Sequence, residues 1–156
     1  MNIHYECQYF KIYELVDPVI YANRGEKAWE LFDPTLLDTL DVMRDYFYYK
    51  YNVVMIVNNW MWGGSRKWSG FRTPESSYYS PTSQHSHGRA VDFLLMDRKT
   101  KKYIDTQKIR DDIIENQNSF EFDDITCIED FPGMNWVHID TRNFDKANYG
   151  LKIVGK

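Results

Sequence analysis

Residues 83–92 read SQHSHGRAVD and place two histidines and a carboxylate at the start of an apolar run that continues to Leu95. Ala90 and Leu94 share a face with Asp92, because successive side chains of a strand point to opposite faces. The residues between them line the other face: Val91, Phe93 and Leu95. The stretch therefore predicts a strand that carries Asp92 into the interior. A buried carboxylate is costly to desolvate, so we expect Asp92 to be protonated, to pair with a cation or to bind a metal.

A second strand-like run, NWVHID at residues 135–140, supplies His138 among apolar neighbours. In the first run, Gly88 permits a tight turn beside His85 and His87. Two imidazoles and one carboxylate leave a fourth position open on a tetrahedral Zn²⁺, which is typical of catalytic rather than structural zinc sites. The two runs together predict a metal centre with room for water or substrate.

The order Ser83-x-His85-x-x-Gly88-x-Ala90-x-Asp92, followed by Trp136-x-His138, resembles the zinc signature of the D-Ala-D-Ala metallopeptidases. That family includes zinc D-alanyl-D-alanine carboxypeptidases and phage peptidoglycan endopeptidases. The segment SGFRTPE at residues 69–75 is similar to the segment that precedes the signature in the family, and the resemblance spans about residues 58–142. It implies a Hedgehog-like α+β fold, hydrolysis of an amide bond in bacterial cell-wall peptides, and three zinc ligands: His85, Asp92 and His138.

Zinc-dependent amide hydrolysis needs a base to take a proton from the attacking water. Relatives often carry an acidic residue three positions before the last histidine, where this chain has Asn135. Another variant in the wider group has a glutamate at the end of the preceding strand, and Glu129, followed by Asp130, is similar to it. A hairpin would bring Glu129 beside His138, so we predict Glu129 as the base, with Asp130 behind it. The alternative is that both are solvated turn residues.

Three further residues are predicted to serve the substrate. The planar guanidinium of Arg72 suits a bidentate contact with a substrate carboxylate or could polarise a carbonyl, and the resemblance supports that role. Three roles stay open for His87: it contacts substrate, stabilises a developing oxyanion or faces solvent. Ser83 is expected to orient a ligand or contact substrate, because no histidine–acid pair free of the metal remains to activate it. Asp140 is expected to support a ligand or the fold.

Two other functions stay open. Two histidines and a carboxylate also bind Fe(II) in oxygenases, and His138-x-Asp140 has the His-x-Asp form. Those enzymes resemble one another in taking a second histidine from downstream, and no histidine follows His138. A non-catalytic zinc-binding module, as in the Hedgehog signalling domains, is favoured by Asn135 and disfavoured by Glu129.

The 156 residues predict one domain, residues 1–156. A net charge of −4 gives no electrostatic case for nucleic-acid binding, and no segment approaches the roughly 20 apolar residues that span a bilayer. We expect a monomer whose partner is a peptidoglycan peptide. Cys7 and Cys127 are predicted to be free, buried thiols.

The start of the chain, MNIHYE, lacks the basic region and apolar run of a secretory signal, which predicts synthesis in the cytoplasm without a signal peptide. Action on the cell wall would then require delivery by phage lysis machinery or a virion. The resemblance accordingly points to a bacteriophage or prophage gene.

Hydrophobic periodicity predicts the elements of an α+β fold with a mainly antiparallel sheet packed against helices. Asp33-Pro34 begins a helix with Asp38, Asp41 and Arg44 on its solvent side. Asp17-Pro18 is interpreted as a break in the unassigned residues 1–32. The predicted helices are 34–50 and 106–118; the predicted strands are 53–57, 89–97, 125–129 and 135–140, with an edge strand at 149–154; a long loop covers 60–81.

Overall fold

The fold is built on a five-stranded sheet, seen in a computed structural model that describes residues 5–155. Its strands lie in the order β1 (Val53–Ile56), β2 (Ala90–Asp97), β4 (Val137–Asp140), β3 (Cys127–Glu129) and β5 (Lys152–Val154). Neighbouring strands are antiparallel except β3 and β5, which are parallel. The predicted α+β class with a mainly antiparallel sheet is confirmed, as is the β3–β4 pairing.

Within residues 5–155, four α-helices accompany the sheet: α1 (Pro18–Arg24), α2 (Pro34–Tyr51), α3 (Thr106–Glu115) and α4 (Lys146–Tyr149). Helix α2 begins as predicted, because the Asp33 carboxylate accepts a hydrogen bond from the Thr35 N–H at 3.0 Å and proline occupies the first helical position. It ends at Tyr51, and the next residue, Asn52, has a φ of 53°, the left-handed conformation common after a helix C-terminus.

The predicted break at Asp17-Pro18 is confirmed, because these residues separate the short 3₁₀ helix Ile12–Glu14 from helix α1, which they also begin. The Asp17 carboxylate accepts hydrogen bonds from the N–H groups of Val19 and Ile20. This is the signal that was used at Asp33-Pro34. The prediction that Asp41 lies on the solvent side of helix α2 is wrong, because its carboxylate is buried and accepts hydrogen bonds from the N–H groups of residues 8 and 9.

The apolar core lies on one face of the sheet, between the strands and the two longer helices. Alternate residues of β2 and β4 point into it, together with one residue of β3 and the apolar stripes of α2 and α3. The buried core residues that these elements contribute are Val91, Phe93, Leu95, Val137, Ile139, Ile128, Leu36, Leu37, Leu40, Met43, Phe47, Ile109 and Ile113.

The long connection from β1 to β2, residues 57–89, leads to the opposite face of the sheet. It contains two short 3₁₀ turns, Trp60–Trp62 and Gln84–His87. The Ser69 carbonyl accepts a hydrogen bond from the Asp92 N–H at 2.7 Å, which ties this loop to β2. Glycine is required at Gly88, because its φ is +67° and a Cβ there would lie 2.0 Å from the Leu31 carbonyl oxygen. The loop therefore packs tightly enough to hold the turn that carries His85.

A smaller expectation is also met. Cys7 and Cys127 are free, buried thiols, as predicted. Among residues 5–155, no helix combines the length and apolar character needed to cross a membrane.

Candidate metal centre

Three buried side chains bring one potential metal-binding atom each to a common point. His85 Nε2 lies 3.2 Å from Asp92 Oδ1 and 3.3 Å from His138 Nδ1, and the last two atoms are 2.8 Å apart. Asp92 and His138 are directly opposite each other in the β2–β4 register, while His85 reaches them from the 3₁₀ turn. The structure thus brings together all three residues predicted as metal ligands, and they form a group that could hold a metal ion.

The hydrogen bond at His85 Nδ1, the ring nitrogen that points away from Asp92 and His138, fixes the tautomer of the ring. His85 Nδ1 lies 2.8 Å from the carbonyl oxygen of Gly70, which can only accept a hydrogen bond. Nδ1 must therefore carry the hydrogen, and the lone pair of the neutral ring is on Nε2, which faces Asp92 and His138. Ser83 contributes to this placement, because it caps the 3₁₀ turn by accepting a hydrogen bond from the His85 N–H.

The far nitrogen of His138 is fixed in the same way. His138 Nε2 donates to Asp140 Oδ2 at 3.0 Å, and Arg142 holds that carboxylate through Nε at 2.7 Å and Nη2 at 2.6 Å. Burial alone would raise the pKa of Asp140, but the hydrogen bonds from Arg142 and His138 outweigh burial and lower it. Asp140 is therefore ionised and orients the Nδ1 lone pair of His138. Asp140 thus contacts one of the residues predicted to bind a metal.

Three electron-pair donors facing one another at these distances need a cation between them. In the protein without metal, that cation is a proton. Burial would lower the pKa of His138, but its hydrogen bonds to Asp140 and Asp92 raise it to about 9. Burial would likewise raise the pKa of Asp92, but His85 and His138 hold it well below its usual range. The Asp92 carboxylate is therefore ionised although only 9% of the residue is exposed to solvent.

The geometry also fits a metal ion. Ligand atoms about 2.0–2.1 Å from a tetrahedral zinc are about 3.3–3.4 Å apart. The two separations from His85 Nε2 are already close to that value, and the 2.8 Å separation between Asp92 and His138 would have to open by about half an ångström. Each ligand is supported from behind by a hydrogen-bond partner, as metal ligands in proteins usually are.

Glu129 stands on the same face of the sheet as the three ligands. Ile128 pairs with Ile139, so the register continued by one residue brings Glu129 opposite His138. Its negative charge contributes to the raised pKa of His138. Glu129 is half-buried, whereas a solvated turn residue would be exposed.

Asp130 has a different environment from the one expected. It follows Glu129 and therefore points to the other side of the strand. Its Oδ1 accepts hydrogen bonds from Arg110 Nε at 3.1 Å and Gln107 Nε2 at 3.2 Å, both on α3. Arg110 is buried and also donates to the carbonyl of Trp136. Asp130 thus anchors α3 to the β3–β4 turn, and nothing in this geometry places it behind Glu129.

The three residues predicted to contact substrate occupy unlike positions. Arg72 borders the centre, where its Nη2 donates to Asp92 Oδ2 at 2.8 Å and its Nε to the Trp68 carbonyl at 2.7 Å. Ser83 caps the turn of His85. His87 is exposed, and its Nε2 lies 2.9 Å from the carbonyl of Pro81. Arg72 and Ser83 therefore contact the ligands directly, and His87 does not.

A cleft of about 300 Å³ opens beside Asp92. Aromatic rings and basic side chains make up most of its wall, and Tyr78 and Trp136 are exposed there. Its lining residues include Arg66, Lys67, Trp68, Arg72, Tyr78 and Trp136. Of the three residues of the centre, Asp92 lines this cleft.

Two groups that support the centre were not predicted from the sequence: the Arg142 guanidinium and the Gly70 carbonyl. Arg142 could have been found, because His138, Asp140 and Arg142 alternate along an extended chain and so lie on one side of it. The Gly70 carbonyl has no side-chain signal, since any residue supplies one.

No protein-family model, curated protein or solved structure matches this chain.

Proposed function

We infer that the protein is a zinc-dependent hydrolase that cleaves an amide bond in bacterial cell-wall peptides. One observation carries this proposal: His85 Nε2, Asp92 Oδ1 and His138 Nδ1 direct their electron pairs to one point beside an open cleft. Three protein ligands with a free side are typical of catalytic zinc, whereas structural zinc sites are closed by four. The resemblance of the motif to the D-Ala-D-Ala metallopeptidases supplies the substrate class.

Bound zinc would polarise the scissile carbonyl and lower the pKa of a water molecule to about 7. Glu129 is the proposed base that receives the proton of the attacking water and returns it to the leaving amine. Arg72 orients Asp92 through its hydrogen bond, Asp140 orients His138, and the cleft beside Asp92 receives the peptide.

A non-catalytic zinc module is the second candidate, because Asn135 stands where relatives often have an acid. The half-buried Glu129 opposite His138 favours the hydrolase. An iron oxygenase with His138-x-Asp140 as ligands is disfavoured, because Asp140 binds Nε2 of His138 while Nδ1 is the atom that faces the other two ligands.

The test is digestion of purified peptidoglycan by the zinc-loaded protein, with products identified by mass spectrometry. We expect new amino and carboxyl termini within or at the end of the stem peptide, which also distinguishes an endopeptidase from a carboxypeptidase. Absence of products from a preparation with one zinc per chain would favour the non-catalytic module. Stoichiometric iron and 2-oxoglutarate consumption after anaerobic loading would favour the oxygenase.

Glu129→Gln is expected to leave zinc bound and to lower the rate of hydrolysis by about 10²- to 10⁴-fold, the usual contribution of a general base. The amide keeps the shape of the side chain but accepts no proton at working pH. Glu115→Gln, at an exposed position of α3, is the matched control and should be fully active. Full activity in Glu129→Gln would remove Glu129 from the mechanism.

A further inference from the structure

The basic residues around the cleft divide into two kinds. Arg66 and Arg72 are committed to the protein, because their guanidinium groups donate to backbone carbonyls and to Asp92. Arg66 donates to the carbonyls of Val57 and Asp92, and Arg72 to the Trp68 carbonyl and the Asp92 carboxylate. The predicted task of Arg72, binding a substrate carboxylate, would compete with its contact to Asp92.

Lys67 differs from both arginines. It is exposed, its Nζ lies 5.8 Å from the centre of the Trp68 ring, and within residues 5–155 it has no hydrogen-bond acceptor or carboxylate partner. A flexible ammonium held near an aromatic face and open to the cleft can reach a carboxylate on a bound ligand without breaking any contact of the protein.

The charge of the cleft is opposite to that of the whole chain. The chain has a net charge of −4, yet among the described residues that line the cleft Asp92 is the only carboxylate, beside three basic side chains. Asp92 is itself neutralised by His138 and Arg72. The remaining positive charge faces solvent and would attract an anionic ligand to this part of the surface.

We propose that the cleft selects peptides that carry a free carboxylate near the scissile bond, and that Lys67 is the residue that binds this carboxylate. The proposal rests on the proposed function, since the peptide is the substrate of the same centre. The exposed faces of Tyr78 and Trp136 bind the uncharged part of the peptide, and Arg72 remains with Asp92.

The test is equilibrium binding, followed by tryptophan fluorescence, to the zinc-loaded full chain in the Glu129→Gln background. The probes are the stem tetrapeptide L-Ala-γ-D-Glu-L-Lys-D-Ala and two versions with a carboxamide in place of either the α-carboxylate of the D-Glu residue or the C-terminal carboxylate. We expect one of the two amidations to weaken binding about three- to tenfold, and less in high salt, because the ion pair is exposed. Which carboxylate matters also indicates whether the chain end or an internal residue is held.

Lys67→Met should remove the difference between the acid and the carboxamide, whereas Lys99→Met, at an exposed position of the turn after β2, should keep it. The proposal is overturned if neither amidation matters, or if the difference persists in Lys67→Met. It is also overturned if the difference disappears only in Arg72→Lys with zinc content unchanged. Binding is measured without turnover, so if the unsubstituted protein hydrolyses nothing while the Glu129→Gln protein still prefers the acid, the hydrolase is refuted and the role of Lys67 is kept.

Discussion

The two faces of the sheet use alternate residues of the same strands for opposite purposes. On the helix-covered face, Val91, Phe93 and Ile139 are 0% exposed and make only apolar contacts with the core. On the loop-covered face, Asp92, His138 and Asp140 are almost as well buried, yet each is ionisable. One face is stabilised by the burial of apolar side chains, and the other by hydrogen bonds and ion pairs among its buried ionisable groups. The apolar core and the candidate metal centre are thus separated by the two-residue period of a strand.

The largest effect is expected from removing a ligand on the polar face. His85→Ala leaves two of three ligands, so the zinc content of the purified protein should fall from one per chain to near zero, and hydrolysis should be lost. The stabilisation that zinc adds to the folded state should disappear with it. Metal analysis and thermal unfolding with and without zinc measure both. Stoichiometric zinc in His85→Ala would remove this residue from the centre.

Removing a side chain from the apolar face should instead lower stability and leave zinc binding intact. Phe93→Ala deletes a fully buried ring that packs against Phe47 of α2, and it is expected to lower the free energy of unfolding by about 3–5 kcal/mol. The fraction that remains folded should still bind one zinc. Denaturant unfolding combined with metal analysis tests this. Loss of zinc in a folded Phe93→Ala protein would show that the two faces are not independent.

A smaller effect is expected behind the ligand His138. Asp140→Asn keeps the shape of the side chain but removes the charge that orients the ring, so zinc affinity should fall about 10- to 100-fold. Competition with a chromophoric chelator measures the change. Asp124→Asn, at an exposed position, is the matched control and should bind zinc normally. Unchanged affinity in Asp140→Asn would mean that this carboxylate serves the fold alone.

The smallest effect concerns pH. Without metal, the pKa of His138 is about 9, so zinc must displace a proton below that pH, and its affinity should rise about tenfold per unit between pH 7 and 8. The stability of the metal-free protein should change with pH in the opposite direction and fall as the pH rises. A folded pKa above the unfolded value of about 6.5 gives stability that is present below pH 6.5 and lost as the pH rises to about 9. Calorimetry at several pH values tests both; pH-independent affinity would contradict the proton on His138.

The sequence predicts these two faces better than it predicts their surroundings. The alternation around Asp92 and the β3–β4 hairpin were readable, because strand periodicity and turn residues are local signals. The pairing of Asp130 with Arg110 was not, since the two residues lie 20 positions apart and the contact depends on where α3 packs. The contact of Arg72 with Asp92 was missed for the same reason, as it depends on the path of a long loop. The position of Asp41 was misjudged because its partners come from the unassigned N-terminal segment.

We propose that one divalent cation occupies the point where β2, β4 and the 3₁₀ turn of His85 meet. Anomalous diffraction at the zinc edge, from crystals grown with zinc, tests it directly. We predict one peak about 2.0–2.2 Å from each of His85 Nε2, Asp92 Oδ1 and His138 Nδ1, with a water molecule as the fourth ligand toward the cleft. A zinc peak held by other residues, or no peak at this point in zinc-saturated crystals, would contradict the account.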